Sequence, residues 1–151
     1  MLLAALIPLI VIVIVGAFLA TGWRAGGRPD LAAITITARD VVIRPVRPLG
    51  VLSFRKELRL RRDRIRGVSV PDRPSLPPRG RRAPGTRMPG LVAGTFRGPQ
   101  LGTSFWLAGR ASRLLRIDVR NGPFDCVILQ IVDPDRIARD LSQPLPEGPR
   151  G

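Results

Sequence analysis

The sequence predicts an N-terminal transmembrane helix followed by a mostly-β barrel of about seven antiparallel strands, closed at one end by a C-terminal α-helix. Three observations predict this class. Residues 2–20 carry no charge and are almost wholly apolar. Short alternating or β-branched stretches, separated by Pro and Gly, recur between residues 32 and 132. Asp133-Pro134 then opens a final amphipathic stretch.

The apolar run comes first. About 20 apolar residues are needed to cross a bilayer, and only a helix can satisfy its own backbone there. A buried core helix would show a polar face, and none exists here. A cleaved signal peptide would carry a basic leader and a small-residue cleavage site. No Lys or Arg precedes Arg24, and Phe18-Leu19-Ala20 is a poor cleavage site. The expectation is an uncleaved single span over residues 1–23, with Pro8 in its first turns and Trp23 at the interface. Arg24, Arg28 and Arg39 follow closely. Positive residues stay inside, which implies an inner-membrane protein with its N-terminus outside and its C-terminal domain cytoplasmic. The lone Cys126 demands no oxidising compartment.

Residues 24–31 read as a tether, since Gly22, Gly26, Gly27 and Pro29 break regular structure. The domain spans 32–142. In Ile34-Thr35-Ile36-Thr37 apolar and polar residues alternate, and Val41-Val42-Ile43 is β-branched throughout, so two strands are expected with a turn or bulge between them. Residues 51–66 fit either a strand or a helix. Leu58-Arg59-Leu60-Arg61 is the cleanest alternation and predicts a strand over 57–61, then a helical turn at 62–65 and a short strand at Val68 and Val70. Residues 71–90 hold six Pro and three Gly and predict a long loop with no packed element. Four further strands are expected at Leu91–Phe96, Ser104–Leu107, Leu114–Arg120 and Phe124–Val132, with Asn121-Gly122 as a hairpin turn. Asp133 is a natural N-cap and Pro134 fits the first helical position. Residues 143–151 read as a disordered tail.

The inventory argues against an enzyme. The chain has no His and no Tyr, and Cys126 has no imidazole to activate it. Within the apolar run Phe124–Val132 it reads as a buried structural thiol. No spacing fits a metal site or a phosphate-binding loop, so no cofactor is expected. Phe105 reads as core, whereas Trp106 fits either core or an exposed contact.

The order of several motifs resembles the bacterial pleckstrin-homology-like domain proteins. The resemblance rests on Arg82-Ala83-Pro84-Gly85-Thr86-Arg87-Met88-Pro89-Gly90 followed by Gly94-Thr95-Phe96, then Phe105-Trp106 and the Asp133-Pro134 helix start. Leu58-Arg59-Leu60 and Ile65-Arg66-Gly67-Val68 are similar to that family's strand, turn and strand. It covers roughly residues 32–142. It implies a seven-stranded curled barrel with a capping helix, and no catalytic activity.

Charge is the feature with functional reach. The chain carries 25 basic and 11 acidic residues, a net charge of +14. Residues 55–87 hold twelve of the basic residues and three of the acidic ones. The expected contacts to anionic lipid headgroups or an acidic partner are Arg59, Arg61, Arg62, Arg64, Arg79, Arg81 and Arg82. A solvated loop with no ligand is an equally good account of the charge. Nucleic acid fits poorly, because residues 55–90 hold no aromatic residue for stacking. The expected function is a membrane-tethered binding or scaffolding module. The alternative is a structural subunit of a membrane protein assembly or a homo-oligomer.

Overall fold

The computed structural model describes residues 2–47, 49–53, 55–76 and 80–144, without the side chains of residues 2–7, 9, 21, 22, 25, 26, 74 and 82–86. Helix α1 (Leu2–Gly26) leads into strands β1 (Ala32–Ile36) and β2 (Asp40–Pro45), a single helical turn α2 (Leu49–Leu52), and β3 (Leu58–Arg61). A 3-10 turn at Arg62–Arg64 passes the chain to β4 (Ile65–Ser69). Strands β5 (Arg81–Met88), β6 (Leu91–Gly98), β7 (Gly102–Ala108), β8 (Leu115–Val119) and β9 (Cys126–Leu129) follow, and helix α3 (Pro134–Ser142) is the last element among the described residues.

The strands form two sheets. One is antiparallel in the order β1-β2-β3; the other has six strands in the order β4-β8-β9-β7-β6-β5, with β7 and β9 parallel. The alternation in the sequence decides which faces meet. Val41, Ile43, Leu58 and Leu60 of the smaller sheet share a core with Leu91, Ala93, Phe105, Leu107, Ile117, Val127 and Leu129 of the larger one. Leu141 and Ile137 of α3 close it. A second cluster lies on the opposite face of the larger sheet, where Val92, Phe96, Trp106, Cys126 and Ile128 are covered in part by Leu76 and Ala111.

Two expectations about the fold class are corrected. The domain is not a single seven-stranded barrel: nine strands among the described residues divide into two sheets, and the chain switches between them through the 3-10 turn rather than along a continuous ladder. The expected membrane span is also overturned, since among the described residues no helix is long and apolar enough to cross a membrane. Leu2 to Ile7 and Leu9, which the sequence reading also used, lie outside the described side chains. The expected transmembrane helix at residues 1–23, and the inner-membrane localisation and sidedness that follow from it, are therefore not supported.

Local differences have local causes. Helix α1 continues to Gly26, into the expected tether, because a helix tolerates glycine at about 1 kcal/mol each. Residues 71–90 are not all loop, because β5 forms within them. It is the outer strand of the larger sheet, and its register shifts between Arg82 and Gly85, where Ala83 and Pro84 stand. An edge and a bulge are the places where a sheet accepts proline. The last helix follows expectation: the Asp133 carboxylate accepts from the Arg136 N–H at 3.0 Å, and Pro134 occupies the first turn. Asn121 takes a positive φ of 52° in the β8–β9 turn. The expected tail from residue 145 lies outside the described residues.

Candidate functional site

Alternation on β3 sends Leu58 and Leu60 into the core and turns Arg59 and Arg61 outward, each side chain 61% exposed. Both meet carboxylates there. Glu57 accepts from Arg44 Nε at 2.8 Å and from Arg59 Nη2 at 3.2 Å, and Asp63 accepts from Arg61 Nη2 at 2.8 Å. The hydrogen bond from Arg44, then that from Arg59, holds the Glu57 carboxyl below its ordinary range.

The next two expected contacts bind backbone instead. Arg62 Nη2 donates to the carbonyls of Asp140 at 3.4 Å and Gln143 at 3.2 Å, at the C-terminal end of α3, where a cation is favoured. Arg64 Nη1 donates to the Asn121 carbonyl at 2.8 Å. Arg81 is exposed at the start of β5, directly across from Arg97 of β6. Arg79 lies outside the described residues, as does the side chain of Arg82. Among the described side chains, Arg59 and Arg61 thus meet carboxylates while Arg62 and Arg64 meet backbone carbonyls.

A different concentration of charge emerges in the larger sheet. From Arg73 to Ile117 the chain holds nine Arg and no acidic residue. That stretch supplies β5, β6, β7 and the first residues of β8. An acid-free run of this length is visible in the sequence. Net charge over residues 55–87 hides it, because that window ends before Arg97 and includes Glu57, Asp63 and Asp72.

Within this half, a cleft of about 470 Å³ is lined by Arg73, Arg87, Met88, Pro89, Gly90, Leu91, Val92 and Gly109. Its two charged residues are both cations. Arg73 stands at the start of a 3-10 turn, and its guanidinium donates through Nε to the Ala111 carbonyl at 3.1 Å and through Nη2 to the Gly109 carbonyl. Burial lowers its affinity for the proton, and no carboxylate offsets that effect. The loop holding Arg73 is fixed from behind. Buried Gln130 accepts at Oε1 from Gly109 N–H at 2.8 Å and Ala111 N–H at 3.0 Å, and its amide donates to the Arg28 carbonyl at 2.7 Å. Beside the cleft, Arg110 passes close over Gly90, and its guanidinium stacks on Trp23 of α1 at 3.6 Å and donates to the Trp23 carbonyl at 2.7 Å.

A second cleft, about 480 Å³, opens between β4, β8 and the β6–β7 turn. Its charges balance: Arg116 pairs with Asp118 at 2.9 Å, and Asp125 accepts from the Thr103 N–H at 2.8 Å. Cys126 at its floor is 1% exposed, and burial above all pushes its thiol up to about 12. It is held as a neutral thiol. Trp106 is also core: it is 3% exposed, and its Nε1 donates to Ser104 Oγ at 2.9 Å.

The remaining exposed feature is apolar. Ile10, Val11, Ile12, Val13, Ile14, Val15, Phe18, Leu19 and Trp23 of α1 are 45–67% exposed, although the helix touches β5 and β6. Among the described residues, the chain does not cover them itself. No family model matches the sequence, and neither the curated proteins nor the solved structures give a match. The resemblance to pleckstrin-homology-like proteins therefore rests on the sequence motifs alone.

Proposed function

We propose that this chain is a non-catalytic binding module that engages an acidic protein partner through the acid-free half of its larger sheet. One observation carries this reading: nine of the 25 basic residues, and none of the 11 acidic ones, fall between Arg73 and Ile117, and of these nine, among the described residues, only Arg113, with Asp135 and Asp72, and Arg116, with Asp118, make ion pairs. Such a field attracts acidic partners and speeds their encounter. The residue inventory supports binding over catalysis. There is no His or Tyr, and the single Cys carries a buried, neutral thiol.

Binding of the full chain to poly-glutamate tests the reading. Affinity should fall steeply between low and physiological salt, and Arg97→Glu should weaken it more than Arg59→Glu. Absent or salt-insensitive binding would overturn it.

A second reading is favoured by α1. Its exposed apolar side chains suit a structural subunit that associates with a second copy of the same chain. Sedimentation velocity at about 10 μM should then show a dimer or larger species, and a monomer would end this alternative.

A further inference from the structure

We propose that the cleft between the β5–β6 turn and residues 109–111 is a binding site for a phosphate-class oxyanion, with Arg73 and Arg87 as its ligands and Gln130 as the residue that positions Arg73. The inference rests on the acidic-partner reading and sharpens it to one site and one chemistry.

The cleft is preorganised in three layers. Gln130 accepts two backbone N–H groups, those of Gly109 and Ala111, through one side-chain oxygen. The carbonyls of the same two residues accept from Arg73. The guanidinium is therefore held by a loop that is itself held from the core. Two of its five N–H groups are spent on those carbonyls, leaving three. Carbonyls orient a guanidinium but do not neutralise it. The nearest acid in sequence, Asp72, reaches toward Arg113 instead, at 3.9 Å.

Arg87 adds a second cation on the wall of the same cleft and makes no ion pair among the described residues. Two guanidinium groups around one concavity, with no lining carboxylate, match the charge and multiple acceptors of a phosphate dianion. The remaining lining residues, Met88, Pro89, Gly90, Leu91, Val92 and Gly109, offer no competing counter-charge. The cleft between β4 and β8 lacks this property, since Asp118 and Asp125 line it along with Arg66 and Arg116.

The test is calorimetric titration of the full chain with inorganic pyrophosphate, and separately with an acidic peptide carrying phosphoserine and its unphosphorylated counterpart. Saturable pyrophosphate binding is expected, weakened about tenfold by Arg87→Ala and unchanged by Arg61→Ala on the smaller sheet. Arg87 is exposed, so its variant should keep the wild-type melting temperature. Gln130→Leu should weaken binding while Gln130→Glu, which keeps an acceptor at the same point, restores part of it. Stronger binding of the phosphopeptide than of its counterpart assigns the phosphate to a protein partner. Pyrophosphate binding with no such preference assigns it to a small molecule. No saturable binding to either probe, or equal losses in Arg87→Ala and Arg61→Ala, would overturn the site. Poly-glutamate binding that survives such a result would leave the broader reading intact.

Discussion

The smaller sheet and the β5–β7 half of the larger sheet both turn arginines outward, but only the first supplies carboxylates to meet them. On β2 and β3, Arg44, Arg59 and Arg61 are matched by Glu57 and Asp63 within 3.2 Å. On β5 and β6, Arg81 stands across from Arg97, and no acidic residue occurs anywhere in that part of the chain. Like charges placed opposite each other on neighbouring strands destabilise a sheet. The second region therefore keeps an electrostatic cost that the first has removed, and an acidic ligand would relieve it.

The largest expected effect strikes both regions at once. Phe105 of β7 is fully buried between the sheets, with the Phe124 ring 5.6 Å away. Phe105→Ala should cost about 3–5 kcal/mol in urea unfolding. A loss below about 1 kcal/mol would mean that the two sheets do not share one core.

The next largest separates them. Gly80, with φ of +82°, lies against the Arg97 carbonyl just before β5. Gly80→Ala should destabilise by about 1–3 kcal/mol and speed amide exchange in β5 while leaving β1–β3 protected. Uniform exchange would show that β5 is not a separable edge.

The balanced cleft is probed by pH. The folded-state pKa of Cys126 lies above the ordinary thiol value of 9.0, at about 12, chiefly through burial. The unfolded chain therefore loses this proton first as pH rises. The contribution is fully present below 9.0 and is lost progressively toward about 12. The urea midpoint of the native protein should fall over that window, and Cys126→Ala should flatten the fall. Ready labelling of the native thiol at pH 8 would contradict its burial.

The smallest effect turns the paired region into the unpaired one. Glu57→Gln frees Arg44 and Arg59, and should raise poly-glutamate affinity about twofold. The Glu57 carboxyl is held low by Arg44 and Arg59, so its stabilising pairs persist above the ordinary carboxylate range and weaken as pH falls through the lowered value. If E57Q binds as wild type does, pairing does not set the contrast between the regions.

Local signals in the sequence carried well where they depended on neighbours. Leu58-Arg59-Leu60-Arg61 is a strand, the turn after it is helical, and Asp133-Pro134 starts α3. They failed where partners decide. Pro84 sits in a strand because β6 accepts it across a bulge at the sheet's edge, which no local propensity encodes. The candidate contacts divided for the same reason. Arg59 and Arg61 meet acids two residues away, whereas Arg62 and Arg64 meet carbonyls about 80 and 57 residues distant.

By itself, the sequence determined the charge and where it lies, including the acid-free run from Arg73 to Ile117, and it determined the alternation that sorts core from surface. These are properties of composition and period, and they hold whatever the topology. Only the tertiary structure decided which arginines keep their charge available. That depends on which carboxylates and carbonyls come within hydrogen-bond reach, and such contacts are set by sheet order and register. Gln130 shows the distinction most plainly. Its place at the end of β9 gives no hint of a role, yet the fold brings Arg28, Gly109 and Ala111 to its one side chain and, through them, fixes Arg73.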